Sequence, residues 1–171
     1  INIHPSMLPA YRGAVPVQAA LLDGLEKTGV TILFTVKALD AGNIITQEEF
    51  SIDPHEKAGE LLPRLFKESC PLLDEALVKL EDKSFEGISQ REDLVTHCEK
   101  ISKEDGFISW KKPAKEIFNA YRAYIPWPGS YSFFNGKRVL VEEMSLSKKE
   151  LPEDESLEKP GRFIFSKKFF L

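Results

Sequence analysis

The sequence predicts an α/β unit followed by a mostly β unit, and three observations carry that prediction. A β-branched run, Gly29-Val30-Thr31-Ile32-Leu33-Phe34-Thr35-Val36, has the composition of a buried strand. Leucines recur at helical spacing from Leu61 to Leu80. Asn135-Gly136 between two apolar runs is the signature of a hairpin with a type I′ turn.

Taken in order, Asn2 and His4 stand at the end of a short extended segment, because Pro5 and Pro9 halt regular structure just after them. Residues 16–22 (Pro-Val-Gln-Ala-Ala-Leu-Leu) form a short helix with Pro in its first turn and Asp23-Gly24 closing it. The strand at 29–36 is read as parallel and buried on both faces. Leu39-Asp40-Ala41-Gly42 is the loop to a second strand at 43–50. Asp53-Pro54-His55-Glu56 carries a helix-start pattern, with Asp as N-cap and Glu three residues on, and His55 faces solvent in it. The leucine stripe that follows is core. Pro63 and Pro71 interrupt it, which predicts one kinked helix or two in series.

Residues 85–99 show weak periodicity and read as a linker, in which adjacent His97 and Cys98 lack ligand spacing. Residues 113–123 form an amphipathic helix with Ile117, Phe118 and Tyr121 inward. The hairpin pairs 130–134 with 137–144, and Trp127 between two prolines is expected as its buried anchor, the alternative being a ring stacked on a base. The charged stretch 148–159 is a loop, and the Phe-rich run 162–171 is a closing strand of a small β-barrel.

Composition excludes several classes. With 42% apolar and 29% charged residues the chain can build both a core and a solvated surface. No run of eighteen apolar residues exists, so no membrane helix is expected. Cys70 and Cys98 make neither a metal nor a disulfide pattern and are expected as reduced thiols. Charge is uneven: residues 1–99 hold 9 Lys and Arg against 17 Asp and Glu, whereas 100–171 hold 14 against 10. The basic second part can attract a phosphate backbone, though taken alone a solvated surface is the better reading.

Chemistry concentrates near the start. An amide and an imidazole at i and i+2 of an extended segment point to one side. One can donate to a developing oxyanion while the other handles a proton. Taken alone, Asn2-x-His4 is more often a surface accident than a site, and Asp40 reads equally as a plain turn residue.

The surrounding residues give the pair a context. Asn2-Ile3-His4-Pro5-Ser6-Met7-Leu8-Pro9-Ala10-Tyr11-Arg12-Gly13, then Thr28-Gly29-Val30-Thr31-Ile32 and Leu39-Asp40-Ala41-Gly42-Asn43-Ile44, resembles the formyltransferase family that uses 10-formyltetrahydrofolate. Further on, Lys100-Ile101-Ser102-Lys103-Glu104-Asp105, Ile108-Ser109-Trp110 and Arg122-Ala123-Tyr124-Ile125-Pro126-Trp127-Pro128-Gly129 resemble the linker and C-terminal domain of the methionyl-tRNA formyltransferases within it. The resemblance implies a catalytic set of Asn2, His4 and Asp40, with Asp40 fixing the His4 tautomer and stabilising its charged form. It implies a folate-contacting loop at Ser6, Met7, Leu8 and Pro9, while Tyr11-Arg12-Gly13 braces the turn. Ala41 and Asn43 depart from the Thr and Asp frequent in the family.

In fold, the resemblance implies half of a Rossmann-like formyltransferase domain at 1–84, a linker at 85–102, and part of an OB-like β-barrel at 103–171. In function it implies transfer of a formyl group from 10-formyltetrahydrofolate to the amino group of methionyl initiator tRNA, without a metal, by a monomer. The expected compartment is the bacterial cytoplasm, before an organellar matrix. A formyltransferase acting on another amine, or a non-catalytic RNA-binding remnant, are the alternatives. The expectation is also of an internal fragment, with the first half of the catalytic domain preceding Ile1, so that the 171 residues alone would be inactive and fold poorly.

Overall fold

The computed structural model describes residues 1–147 and 160–161. Its first sheet has three strands in the order β1 (Asn2–His4), β3 (Lys27–Leu33) and β4 (Ile44–Ser51). Both pairings are antiparallel, with Asn2 opposite Leu33, His4 opposite Thr31, and Thr31 opposite Gln47. The expectation of a parallel strand is therefore corrected. An unbroken apolar run reflects burial on both faces, and β3 reaches that state within antiparallel pairings. Val30 and Ile32 face the helices, while Leu33 packs with Leu8 and Ile44 in a second small cluster.

Three helices fill the core side. Helix α1 (Pro16–Leu22) forms where sequence places it, with Pro16 in the first turn. Helices α2 (Ala58–Glu68) and α3 (Cys70–Glu81) follow in series and meet at Ser69. Pro63 sits inside α2 and Pro71 in the first turn of α3, so the second proline marks the break. Val17, Leu21, Val30, Ile32, Ile45, Leu61, Leu65, Leu72 and Ala76 share one core. Leu77, at 51% exposure, lies outside the stripe.

The helix start is later than sequence suggests. Asp53 and Glu56 instead tie off a turn, in which Asp53 Oδ1 accepts from the His55 amide (2.8 Å). The capping box forms downstream at Lys57, whose amide donates to Glu60 at 2.9 Å. A second acid three residues beyond a capable start gave two competing registers, and Glu56 is claimed by Arg64 (2.6 Å).

Beyond α3 the chain returns to the sheet. Ile88 bridges Ile44 through paired backbone bonds of 2.8 Å, and β5 (His97–Cys98) lies parallel to β2 (Arg12–Gly13). The stretch read as a linker is thus hydrogen-bonded to the site loops; its weak periodicity reflects backbone and polar contacts. Helix α4 (Ala114–Tyr124) packs on α1 and buries Ile117, Phe118 and Tyr121. The nearly buried Arg122 reaches from α4 to the carbonyls of Asp53 (3.3 Å) and Glu56 (3.4 Å).

Strands β6 (Ser130–Phe134) and β7 (Lys137–Val141) form the hairpin. Asn135 (φ 48°) and Gly136 (φ 75°) supply the two left-handed residues that a type I′ turn needs. Trp127 is 52% exposed, against the expectation of a buried anchor. Trp110 fills that part: its indole N–H donates to Ser132 Oγ at 2.8 Å. The expected loop at 148–159 and closing strand at 162–171 lie outside the described residues.

Candidate active site

Strand β1 presents Asn2 and His4 to the loop between β3 and β4, where Asp40 takes up a left-handed conformation (φ 50°). Asn2 Nδ2 donates to Asp40 Oδ1 at 3.4 Å, and His4 Nδ1 lies 3.6 Å from Asp40 Oδ2. The backbone amide of Gly13 also donates to Oδ2, at 3.0 Å. The three residues singled out from sequence therefore meet around one carboxylate. His4 is only 4% exposed, whereas Asn2 is open to solvent.

The loop has no room to drift. Gly42 lies against Phe34, and an added Cβ would overlap the Phe34 carbonyl, so no larger residue fits beside Asp40. Below the loop, Leu33–Val36, Lys37, Leu39 and Ala41 line a cavity of about 300 Å³ with Asn2 and Asp40 on its wall. Val36 and Leu39 are largely exposed, so the cavity has a partly apolar mouth.

The His4 tautomer has a different cause from the one expected. Nε2 lies 2.9 Å from the Tyr11 carbonyl, which can only accept, so Nε2 carries a proton. Nδ1 is then the ring atom turned to Asp40. Asn2 uses one N–H on Asp40 and keeps a second for another acceptor.

The Ser6–Pro9 loop lies elsewhere. Ser6 Oγ donates to the Ala10 carbonyl (2.7 Å), and the Ser6 carbonyl accepts from Thr31 Oγ1 (2.7 Å). The Leu8 amide donates to the same hydroxyl (3.1 Å), and its carbonyl accepts from Gln47 Nε2 (3.2 Å). These bonds dock the loop on β3 and β4, outside the cavity beside Asp40. Ser6 and Leu8 are buried; Met7 and Pro9 keep partial exposure.

Several bracing groups escape a reading by residue type. Tyr11-Arg12-Gly13 does brace the turn: the Tyr11 amide donates to Thr96 Oγ1 (2.8 Å) and the Arg12 amide to the Thr96 carbonyl (2.9 Å). The Tyr11 hydroxyl donates to Asp23 (2.7 Å); burial first, and then that carboxylate, push the phenol pKa up. Burial likewise raises the Cys98 thiol beside β2, keeping it protonated. Arg12 is almost fully buried and points away from solvent onto Gln90 and Glu92. Gln90 and Thr96, far along the chain in an aperiodic stretch, carry no sequence signal for these roles. No group of His, Cys, Asp and Glu suited to a metal occurs among the described residues. No helix there is long and apolar enough to cross a membrane.

Fold and site together describe a mixed α/β protein whose sheet edge joins an amide, an imidazole and a carboxylate. The formyl transferase profile matches residues 1–77, and the formyl transferase C-terminal domain profile matches 100–169. The chain belongs to the formyl transferase family. It is 35% identical over 164 residues, 96% of its own length, to a methionyl-tRNA formyltransferase of Staphylococcus aureus. It spans about half the length of that curated relative (51%). Among solved structures it resembles an N-formyltransferase from Helicobacter canadensis bound to folinic acid and dTDP-3-aminofucose. There the TM-score is 0.69 and the identity 25%, covering 79% of this chain and 51% of the other. It shares its fold with the methionyl-tRNA formyltransferase of Clostridium thermocellum (TM-score 0.70, 18% identity, 86% and 63% coverage).

Proposed function

We propose that this chain carries the reacting groups of an enzyme that transfers a formyl group from 10-formyltetrahydrofolate to the amino group of methionyl initiator tRNA. The observation that carries the chemistry is the meeting of Asn2, His4 and Asp40 around one carboxylate. The relative from Staphylococcus aureus supports the acceptor. We propose the division into 1–84, 85–102 and 103–171, a monomer, and the bacterial cytoplasm on the same ground.

When bound, 10-formyltetrahydrofolate supplies an electrophilic formyl carbon and N10 as the leaving nitrogen. The partly apolar mouth formed by Val36 and Leu39 fits a flat ring placed next to Asn2. Met7 and Pro9, outside that cavity, are the two members of the Ser6–Pro9 loop with surface left to contact another part of the donor. Asn2 donates its second amide hydrogen to the formyl oxygen as negative charge builds there, without titrating itself. The Asp40 carboxylate receives the proton released by the attacking amine, and His4 Nδ1 beside it holds or returns that proton toward the departing nitrogen. Gly13 keeps the carboxylate in place throughout.

A second reading, formylation of an amino sugar, rests on the likeness to the Helicobacter canadensis protein. The site residues do not separate the two acceptors. A formyl-transfer assay on the intact protein, offering charged initiator tRNA and a nucleotide-linked amino sugar, does. Turnover on the tRNA alone is expected, and turnover on the sugar alone overturns the assignment. Charge reversal among Lys137, Arg138, Lys148, Lys149, Lys167 and Lys168, of which the last four lie outside the described residues, should flatten the salt dependence of tRNA binding. Each lost phosphate contact removes about one counterion from the slope.

A further inference from the structure

Gln90 makes four hydrogen bonds, which is all that its amide can make. Its Oε1 accepts from Arg12 Nε (3.1 Å) and Arg12 Nη2 (2.8 Å). Its Nε2 donates to the carbonyls of Asp40 (2.7 Å) and Gly42 (2.8 Å). The orientation is unambiguous, because a guanidinium only donates and a carbonyl only accepts. An amide satisfied on both ends and flanked by an almost fully buried arginine is a built contact, not a surface accident.

What it joins gives it meaning. On one side is the left-handed Asp40 and the crowded Gly42, the loop that carries the carboxylate. On the other is Arg12, whose next residue, Gly13, donates its amide to Asp40 Oδ2. Gln90 thus grips both ends of the bond that aims the carboxylate at His4. The strap bearing it is itself fixed on both sides, by the Ile44–Ile88 bridge before it and the Thr96 bonds to Tyr11 and Arg12 after it.

We propose that Gln90 is a positioning residue: it sets the distance and angle of the Asp40 carboxylate for proton transfer without touching substrate. The proposal rests on the formyl-transfer reading only for its kinetic consequence. Glu in place of Gln keeps an oxygen for Arg12 but turns a carboxylate oxygen onto two carbonyls. Met keeps the volume and removes every hydrogen bond.

Two readouts on Gln90→Glu and Gln90→Met in the intact protein test this. One is hydrogen exchange at the Gly13 amide; the other is steady-state formyl transfer. Gly13 exchange should speed up, and kcat should fall by about 10–10²-fold, with the KM for the formyl donor changing by less than about twofold, since a misplaced group loses rate before affinity. Ser89→Ala, on the same strap with only a 3.3 Å bond to Asn43, should leave both unchanged. If Gln90→Glu does not fold, Gln90→Met carries the test alone. Unchanged Gly13 exchange, or faster exchange with unaltered kcat, overturns the proposal. An intact wild-type protein without formyl transfer would sink the functional reading, and the exchange measurement would still decide whether Gln90 holds Asp40.

Discussion

Leu65 and Asp40 are held in this protein by two different kinds of bond. Leu65 is fully buried between α1, the sheet and α3, among Val17, Leu21, Ile32 and Leu72. Its place follows from apolar area removed from water, a force that is large and without direction. Asp40 sits on a loop whose apolar members line an open cavity, and it is placed by directed contacts: the Gly13 amide and Asn2 amide on its carboxylate, the His4 ring beside it, and Gln90 on its backbone carbonyl. Each such bond adds only about 0.5–1.5 kcal/mol to stability, but together they fix direction. The core therefore sets whether the chain folds, and the site loops set where the carboxylate points. Substitutions in the two regions should fail in different ways.

The largest stability effect should come from the core. Leu65→Ala is expected to cost about 2–5 kcal/mol, measured by denaturant unfolding, because the surrounding helices cannot close the cavity. At a temperature where the variant is still folded, its turnover should stay near wild type. A fall in turnover as large as that of a site variant would erase the division between the regions.

Smaller by far is the surface contact that ties the start of α2 and α4 to the segment after β7, away from the site loops. Glu143, on the segment after β7, accepts from Lys57 (3.1 Å) and from the Tyr121 hydroxyl (3.2 Å). The Lys57 bond first, and Tyr121 second, hold its carboxyl below the usual carboxylate range. Such a group contributes stability above its unfolded value of about 4.3 and loses it as pH falls through the lowered folded value. Glu143 is exposed and screened by salt, so Glu143→Gln should lower Tm only slightly at neutral pH and not at all in strong acid. An equal loss at both pH values would show that the contact acts through packing, not charge.

This contrast also explains what could be read from the residues. The core was legible because burial leaves a periodic trace: most leucines of α2 and α3 and the β-branched run of β3 are buried as expected, although Phe66 and Leu77 face solvent and β3 ends at Leu33, short of Val36. The Asn135-Gly136 turn was legible from its turn chemistry. Direction of pairing was not legible, since an apolar run records burial and not the sense of its neighbours. Asn2, His4 and Asp40 could be picked out by chemistry and resemblance. Their supports could not: Gln90 lies 50 positions from Asp40 in an aperiodic polar stretch, Thr96 acts from the same stretch, and the Tyr11 carbonyl is a group every residue has. Trp127 was misplaced because two aromatics compete for one hairpin, and only geometry shows that Trp110 holds it.

The Asp40 carboxylate is proposed to do the proton work of formyl transfer. Asp40→Asn in the intact protein tests it most directly, since the amide oxygen can still accept from Gly13 while the charge is gone. Formyl-transfer turnover measured beside thermal unfolding should fall by about 10²–10⁴-fold with Tm within a few degrees of wild type. Near-normal turnover from a folded Asp40→Asn protein would contradict the account.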